Sequence, residues 1–209
     1  MTARVDHTVT SGTFSLDGQT FDVDNNVWVI GDDSECVVVD APHDVDAILR
    51  TVGGRRVVAI LATHAHDDHV RVAPQLARAT GAPVLLHPDD RVLWDMVHPD
   101  AAPDGELRDG ATVEVAGTEL RVLHTPGHSP GACSLHAPHL GVVFTGDTLF
   151  AGGPGATGRS YSDFGTIIES IRTRLFTLPP ETVVHTGHGD STTIGAEEPH
   201  LAQWLARGH

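Results

Sequence analysis

One stretch of seven residues, from Thr63 to His69, constrains this chain more than any other part of its sequence. It reads Thr-His-Ala-His-Asp-Asp-His and carries three imidazoles and two carboxylates. It directly follows the apolar run 57–62, whose β-branched residues and short length predict a buried strand. These side chains are therefore expected where a strand ends and a loop begins, a position at which a rigid scaffold presents functional groups.

The donor atoms in this stretch are those that borderline divalent metals such as zinc accept, whereas calcium prefers oxygen alone. If this stretch were the only one of its kind, it could equally be a solvated histidine-rich loop that binds no metal. Three later stretches weaken that alternative, because each ends a predicted strand with a further ligand-type residue. The candidate ligands are His64, His66, Asp68, His69, His128, Asp147 and His188. Seven ligands exceed the needs of one tetrahedral ion and suit two ions about 3.5–4 Å apart, with Asp147 as the candidate bridging carboxylate.

The balance of acidic and basic residues indicates which kinds of partner the protein can bind. Thirteen basic and 28 acidic residues give a net charge of −15 with histidine neutral, which argues against nucleic acid and anionic membranes as partners. All the basic residues are arginine, so lysine Schiff-base chemistry is excluded. Cys36 and Cys133 lie in strand-like runs and are expected to be buried free thiols. We expect a cytoplasmic protein, because residues 1–10 lack a signal-like apolar segment and no stretch approaches the ~20 apolar residues of a membrane span.

The pattern of predicted elements indicates a single layered α/β domain over residues 1–209. Apolar residues at helical spacing predict helices at 44–52, 70–80 and 163–175, with β-branched runs predicting strands around them. Asp17-Gly18 predicts a hairpin, and the segment 24–26 is interpreted as a break between two short strands. Because hairpins interrupt the alternation of strands and helices, a layered sandwich fits better than a doubly wound sheet.

Four stretches of the chain resemble, in the same order, the motifs of the metallo-β-lactamase superfamily. Residues 63–69 fit its His-x-His-x-Asp-His motif, and 125–129, 144–147 and 187–189 are similar to its later motifs. The resemblance implies a four-layer αβ/βα sandwich with metals at one edge, between two sheets. It also implies that His64, His66 and His128 bind one metal, that Asp68, His69 and His188 bind the other, and that Asp147 bridges them.

Within this superfamily the chain looks most like small members of the glyoxalase II branch. Residues 145–150 and 192–197 carry that similarity, whereas the branch's Gly-Cys-Gly-Arg is replaced by the loop 152–159. Because the sequence ends soon after His188, we expect no C-terminal helical domain of the kind that helps bind glutathione in long glyoxalases. The thiol carrier is therefore left open. Arg159 and Tyr161, on and just after the glycine-rich loop, are predicted to contact the substrate.

The resemblance implies a hydrolase that uses a metal-bound hydroxide to cleave an acyl thioester of a low-molecular-weight thiol, with Asp68 orienting the nucleophile. Two divalent ions are expected, with zinc preferred and iron or manganese as alternatives. A persulfide dioxygenase with one iron bound by His64, His128 and Asp147, or a lactonase, is the alternative interpretation. The expected partner is a small-molecule thioester, without nucleic acid or membrane. The oligomeric state is left open, with a homodimer as one option.

The other histidines receive plainer interpretations. Those in loops or at the termini are predicted to be solvated: His7, His43, His87, His98, His136, His139, His200 and His209. His124 and His185 directly precede ligand motifs, and we expect them to support ligands or to pack rather than to bind metal.

Overall fold

The first half of the chain forms one six-stranded sheet and the helices beside it in the computed structural model, which describes residues 3–208. The strands, paired in this order, are β1 Arg4–Leu16, β2 Gln19–Gly31, β3 Glu35–Val39, β4 Arg56–Leu61, β5 Val84–Leu86 and β6 Gly105–Glu106. The helices are α1 Val45–Val52, α2 Asp67–Val70, α3 Ala73–Thr80 and α4 Arg91–Val97, with a 3₁₀ turn at Pro88–Asp90. Because β3 to β6 run parallel, their carboxyl ends share one edge of the sheet.

The second half forms a second six-stranded sheet, in the order β14-β13-β10-β9-β8-β7. Its strands, together with the separate ribbon β11–β12, are β7 Thr112–Val115, β8 Thr118–His124, β9 Cys133–Ala137, β10 Val142–Gly146, β11 Leu149–Phe150, β12 Gly153–Pro154, β13 Val183–Thr186 and β14 Thr192–Thr193. The helices are α5 Phe164–Ser170, continued by a wider π turn at Ile171–Leu175, α6 Ile194–Glu197 and α7 Leu201–Arg207, with 3₁₀ turns at Pro138–Leu140 and Glu198–His200. Within residues 3–208, none of the helices has the length and apolar character needed to cross a bilayer.

Three layers of buried apolar side chains join these elements into a four-layer sandwich. One layer, which includes Leu76, lies between the first sheet and α1, α3 and α4. The second, which includes Phe144, lies between the two sheets, and the third, which includes Ile167, lies between the second sheet and α5 and α7. The predicted helix–sheet–sheet–helix architecture is confirmed. Cys36 and Cys133 are buried free thiols, as expected.

One expectation about the first hairpin is wrong. The turn at Asp17-Gly18 is present, and the positive φ of both residues (52° and 74°) suits a tight two-residue hairpin turn. However, β2 runs without a break through the segment that was expected to separate two strands, so Asn25 and Asn26 are buried strand residues. Both side chains make hydrogen bonds to other parts of the chain, which offsets the cost of burying an amide.

An aromatic stack links the outer strands of the first sheet to the second sheet. Trp28 lies between His7 and His185, with ring centroids 4.2 Å apart on each side. Burial, and then the neighbouring His7, lowers the pKa of His185 to about 4. The packing expected for His185 is therefore present, and its imidazole is neutral in the folded protein at mildly acidic pH.

We expect His185 to make the fold sensitive to acid. A histidine with a depressed folded pKa destabilises the fold progressively as the pH falls from about 6.5, its unfolded pKa, towards the folded value, because the unfolded chain then binds more protons. The melting temperature of His185→Phe should therefore fall less between about pH 7 and pH 4 than that of the unaltered protein. Both are measured by circular dichroism with a chelator present. Equal losses in both proteins would show that another group controls the acid sensitivity.

Candidate metal centre

All seven predicted ligands lie at one edge of the sandwich, where strands of both sheets end. The loop after β4, together with α2, carries four of them, and the loops after β8, β10 and β13 carry one each. The first sheet therefore supplies His64, His66, Asp68 and His69, and the second supplies His128, Asp147 and His188.

The first group of ligand atoms consists of three imidazole nitrogens. His66 Nδ1 lies 3.0 Å from both His64 Nε2 and His128 Nε2, and the three side chains are buried. The outward nitrogens of two rings are held by hydrogen bonds: His64 Nδ1 donates to Thr63 Oγ1 (3.1 Å) and His128 Nδ1 donates to the Ala156 carbonyl (2.9 Å). Such bonds fix the tautomer that turns a lone pair inward, as they do for metal-binding histidines.

The second group contains one carboxylate and two imidazoles. His188 Nε2 lies 3.3 Å from both His69 Nε2 and Asp68 Oδ2. The outward nitrogens are again held, because His69 Nδ1 donates to Asp40 Oδ2 and His188 Nδ1 donates to the Asp24 carbonyl, each at 2.8 Å. His188 is the most exposed member, with 25% of its side chain accessible, so the centre opens to solvent on its side.

Asp147 lies between the two groups. Its Oδ1 is 3.3 Å from His69 Nε2, and its Oδ2 is 3.4 Å from His188 Nε2 and 3.6 Å from His128 Nε2. Gly187 permits this position, since a Cβ there would lie 2.2 Å from Asp147 Oδ1. The carboxylate therefore reaches ligands of both groups, as the predicted bridge requires.

The donor set fits divalent cations. Burial, and then the neighbouring His128, lowers the pKa of His66 to about 3, so its ring is neutral at neutral pH and one nitrogen has a free lone pair. Burial alone would lower the pKa of His188, but the carboxylate of Asp147 outweighs it and raises that pKa to about 10. Among residues 3–208, Asp68 Oδ1 is one of the few buried side-chain atoms without a hydrogen-bond partner. A cation bound here would neutralise the buried carboxylates, and ligation through Asp68 Oδ1 would give that atom a partner.

Asp40 is a residue of this centre that the sequence analysis missed. It follows β3, is 3% exposed, and has a left-handed backbone with φ of 63°. Its Oδ1 accepts the Thr63 N–H (2.7 Å), and its Oδ2 accepts both the Thr63 hydroxyl and His69 Nδ1–H (2.8 Å each). Asp40 thereby supports His64 through Thr63 and His69 directly. Its position after an apolar strand is the same signal that identified the ligands.

Asp90 is a second such residue, and it joins the loops of the first group. It is fully buried and accepts hydrogen bonds from the Ala65 N–H and the Ser129 hydroxyl at 2.8 Å each, and from the Gly131 N–H. Nothing in its local sequence marks this role, because its partners lie 25 to 41 residues away.

The expectation of solvated histidines is wrong at four described positions: His43, His87, His98 and His136 are buried or half-buried, and His98 also hydrogen-bonds the Val70 carbonyl. His87 is only 8% exposed, not solvated, because its ring stacks on His124 with centroids 4.0 Å apart. His43 is half-buried and hydrogen-bonded to Asn25. The packing role expected for His124 agrees with this stack and with the bond that its Nε2–H donates to the Pro130 carbonyl. His209 lies outside the described residues.

Of the two predicted substrate residues, Arg159 is connected to the centre through an aromatic ring. The Arg159 guanidinium stacks on Phe14 and Phe21, with 5.5 and 4.7 Å from its carbon to the ring centroids. Phe14 in turn contacts the His66 ring at 5.1 Å between centroids, which connects Arg159 to the first group. Tyr161 is 47% exposed and has a left-handed backbone with φ of 69°. Contact of either residue with a substrate stays a prediction.

We expect Asp40→Asn to weaken metal binding in both groups. The asparagine amide has the shape of the carboxylate, but its N–H₂ group would face the N–H and O–H donors that Asp40 now accepts. Loss of a hydrogen bond that supports a metal ligand typically costs about 10–100-fold in metal affinity. Metal retained after dialysis against a graded chelator series, measured by mass spectrometry, should fall for both equivalents. Asp95→Asn, which alters a surface pair with Arg91, is the matched control and should retain metal normally. Unchanged retention in Asp40→Asn would contradict the supporting role.

Comparison with known proteins agrees with this geometry. Hydroxyacylglutathione hydrolase GloC of Haemophilus influenzae is 30% identical over 187 residues, covering 82% of this chain and 87% of that protein. The structure of BLEG-1 B3 metallo-beta-lactamase superposes with a TM-score of 0.78 at 28% identity, covering 91% of this chain and 97% of that one. TTHA1623 in a di-iron-bound form superposes with a TM-score of 0.74 at 34% identity, covering 84% and 93%. The family model described as the metallo-beta-lactamase superfamily matches residues 20–188, and the chain belongs to that superfamily.

Proposed function

We propose that this protein is a metallohydrolase that cleaves acyl thioesters of a low-molecular-weight thiol. The observation that carries the proposal is the pair of ligand groups joined by Asp147 at the seam of the two sheets. The similarity to a hydroxyacylglutathione hydrolase supports the thioester, and the di-iron form of a similar structure supports a centre of two ions. A cytoplasmic location and a single domain over 1–209 remain predictions, as do the small-molecule partner and a possible homodimer.

Zinc is the metal proposed for both groups, with iron and manganese as alternatives. One ion would be held by His64, His66 and His128, the other by Asp68, His69 and His188, with Asp147 shared between them. When bound, two such ions supply a water whose pKa falls from about 15.7 towards 7 and positive charge for the developing oxyanion.

The chain's own residues favour a leaving group that departs as an anion. Burial alone would raise the pKa of Asp68, but His69 and a hydrogen bond from His188 outweigh it and lower that pKa to about 2. Asp68 is therefore ionised at neutral pH, so it would accept a hydrogen bond from the nucleophile and could not protonate a leaving group. In thioester hydrolysis the water oxygen bonds to the acyl carbon, and the C–S electron pair leaves with sulfur. A thiolate, with a parent pKa of about 8.5, departs without obligatory protonation.

The hairpin β1–β2 and the loop 152–161 border the centre, and the arginine that they hold suits an anionic substrate. Arg159 is fixed by its aromatic contacts and by a bond from its Nη1 to Gln19 Oε1 at 3.3 Å. The Ser160 N–H donates to Asp17 Oδ2 at 3.0 Å, which attaches the loop to the hairpin tip. A guanidinium held this way presents a planar donor to a carboxylate. We therefore propose that Arg159, beside the exposed Tyr161, binds a carboxylate of the thiol carrier.

The proposed activity is tested with protein loaded with zinc, iron or manganese and assayed against a panel of acyl thioesters, lactones, a β-lactam and a persulfide. We expect thioester cleavage that depends on metal and that yields equal amounts of carboxylate and thiol. Turnover of the β-lactam or lactones alone would overturn the thioester assignment. One iron per chain with oxygen uptake on the persulfide would identify the dioxygenase instead.

Arg159→Ala should raise KM for thioesters of a thiol that carries carboxylates by about tenfold, the loss typical of one charge-assisted hydrogen bond. The KM for an uncharged thioester of similar size should change much less. Arg172→Ala is the matched control, because Arg172 donates to the exposed Glu169 carboxylate from the turn that continues α5. Equal changes for charged and uncharged thioesters would indicate that Arg159 only supports the hairpin.

A further inference from the structure

Asn25 lies against the second ligand group although nothing in its sequence context indicates such a position. It is a fully buried residue of β2, on the hairpin that borders the centre. Its Nδ2 donates to Asp68 Oδ2 at 3.0 Å and lies 3.3 Å from His69 Nε2 and 3.4 Å from His188 Nε2. One amide nitrogen is thus within hydrogen-bond distance of one ligand atom from each of the three members of the group.

His43 determines which way this carboxamide faces. An asparagine side chain has one acceptor end and one donor end, and their assignment follows from the hydrogen-bond network. His43 Nε2–H donates to Asn25 Oδ1 at 2.8 Å, so the donor end is turned towards the three ligands. The other ring nitrogen, Nδ1, is buried without a hydrogen-bond partner, so the bond to Asn25 is the polar contact that orients this ring.

Gly12 makes room for His43. A Cβ at Gly12 would lie 2.4 Å from His43 Nδ1 and 2.6 Å from its Cγ, so the imidazole occupies the volume of an absent side chain on β1. The ring is therefore trapped between β1 and Asn25. A continuous path of close contacts runs from the hairpin backbone through His43 and Asn25 to the ligands.

Asn26 shows that this arrangement is particular to position 25. It is the same residue type, one position along and similarly buried, but adjacent strand residues face opposite sides. Its Nδ2 donates to the backbone carbonyls of Thr186 (3.0 Å) and Gly189 (2.9 Å). Asn26 therefore supports the backbone beside His188, whereas Asn25 contacts the ligand atoms themselves.

We propose that Asn25 is a positioning residue for the second metal group, and that His43 sets the orientation of its carboxamide. The inference rests on the two-ion centre proposed above. A carboxylate oxygen has more than one lone pair, so the Asn25 amide can hold Asp68 while a lone pair remains for an ion. Without this donor, Asp68 would lose the hydrogen bond through which β2 restrains its rotamer.

The test measures metal affinity and needs no substrate. Metal-free full-length protein is titrated with Zn²⁺ in the presence of a competing chromogenic chelator, and two equivalents are resolved. Asp68→Ala and His66→Ala assign the equivalents, since each removes a ligand of one group. Asn25→Ala should weaken the equivalent assigned to Asp68 by about tenfold or more and leave the other within about twofold, as expected for loss of an outer partner of one site.

His43→Leu should weaken the same equivalent by about threefold, because the carboxamide remains but is free to turn. The His43→Leu variant tests the proposal if Asn25→Ala does not fold. Ser134→Ala is the matched control: it removes a buried hydroxyl whose bond goes to Thr125 and to no ligand, so it should lower stability and leave both affinities unchanged.

The inference is overturned if Asn25→Ala or His43→Leu, folded by circular dichroism, binds both equivalents with unaltered affinity. It is also overturned if both equivalents weaken equally, which would indicate general loosening, or if the unaltered protein binds a single equivalent. Two equivalents with the expected selective loss, but no thioester cleavage, would sustain this inference and remove the proposed function.

Discussion

The buried carboxylate of Asp40 is the interaction on which the arrangement of the centre depends. Its three accepted hydrogen bonds hold the start of the loop after β4 and the ring of His69. The left-handed backbone of a non-glycine residue costs of order 1 kcal/mol, and the position is tolerated because the side chain meets three donors there. One residue thus couples both ligand groups, since Thr63 leads to His64 and the bond to His69 reaches the second group.

The hairpin β1–β2 acts as a fixed wall rather than as a free arm. Near its tip the Ser15 N–H donates to Asp67 Oδ1 at 3.0 Å, and Arg71 donates to the Thr13 carbonyl and forms an ion pair with Asp67. On the other side, Asp17 accepts the Ser160 N–H. Both α2, which carries Asp68 and His69, and the loop with Arg159 are therefore attached to the same hairpin.

Whether a feature could be predicted from the sequence depends on how far apart along the chain the interacting residues lie. The proximity of the candidate ligands could be predicted because each follows a strand within a few positions, and strands of the same direction bring such positions to one edge. The four-layer order followed from the family motifs and the alternation of elements. Asp90 and Asn25 were missed because their partners lie tens of residues away and their neighbours in sequence carry no distinctive pattern. The break expected at 24–26 was wrong because tertiary partners satisfied two asparagines that locally favour a turn.

The division of the candidate ligands between the two sheets has a consequence for how the protein would bind metal ions. Residues before β7 supply two members of the first group and two of the second, and the missing members, His128 and His188, arrive with the second half of the chain. Neither half holds a complete group. Since ion binding to a divided site includes the free energy of assembling it, tight binding waits until the halves have docked. By this geometry, bound ions would stabilise the assembled sandwich and slow its opening, rather than nucleate its folding.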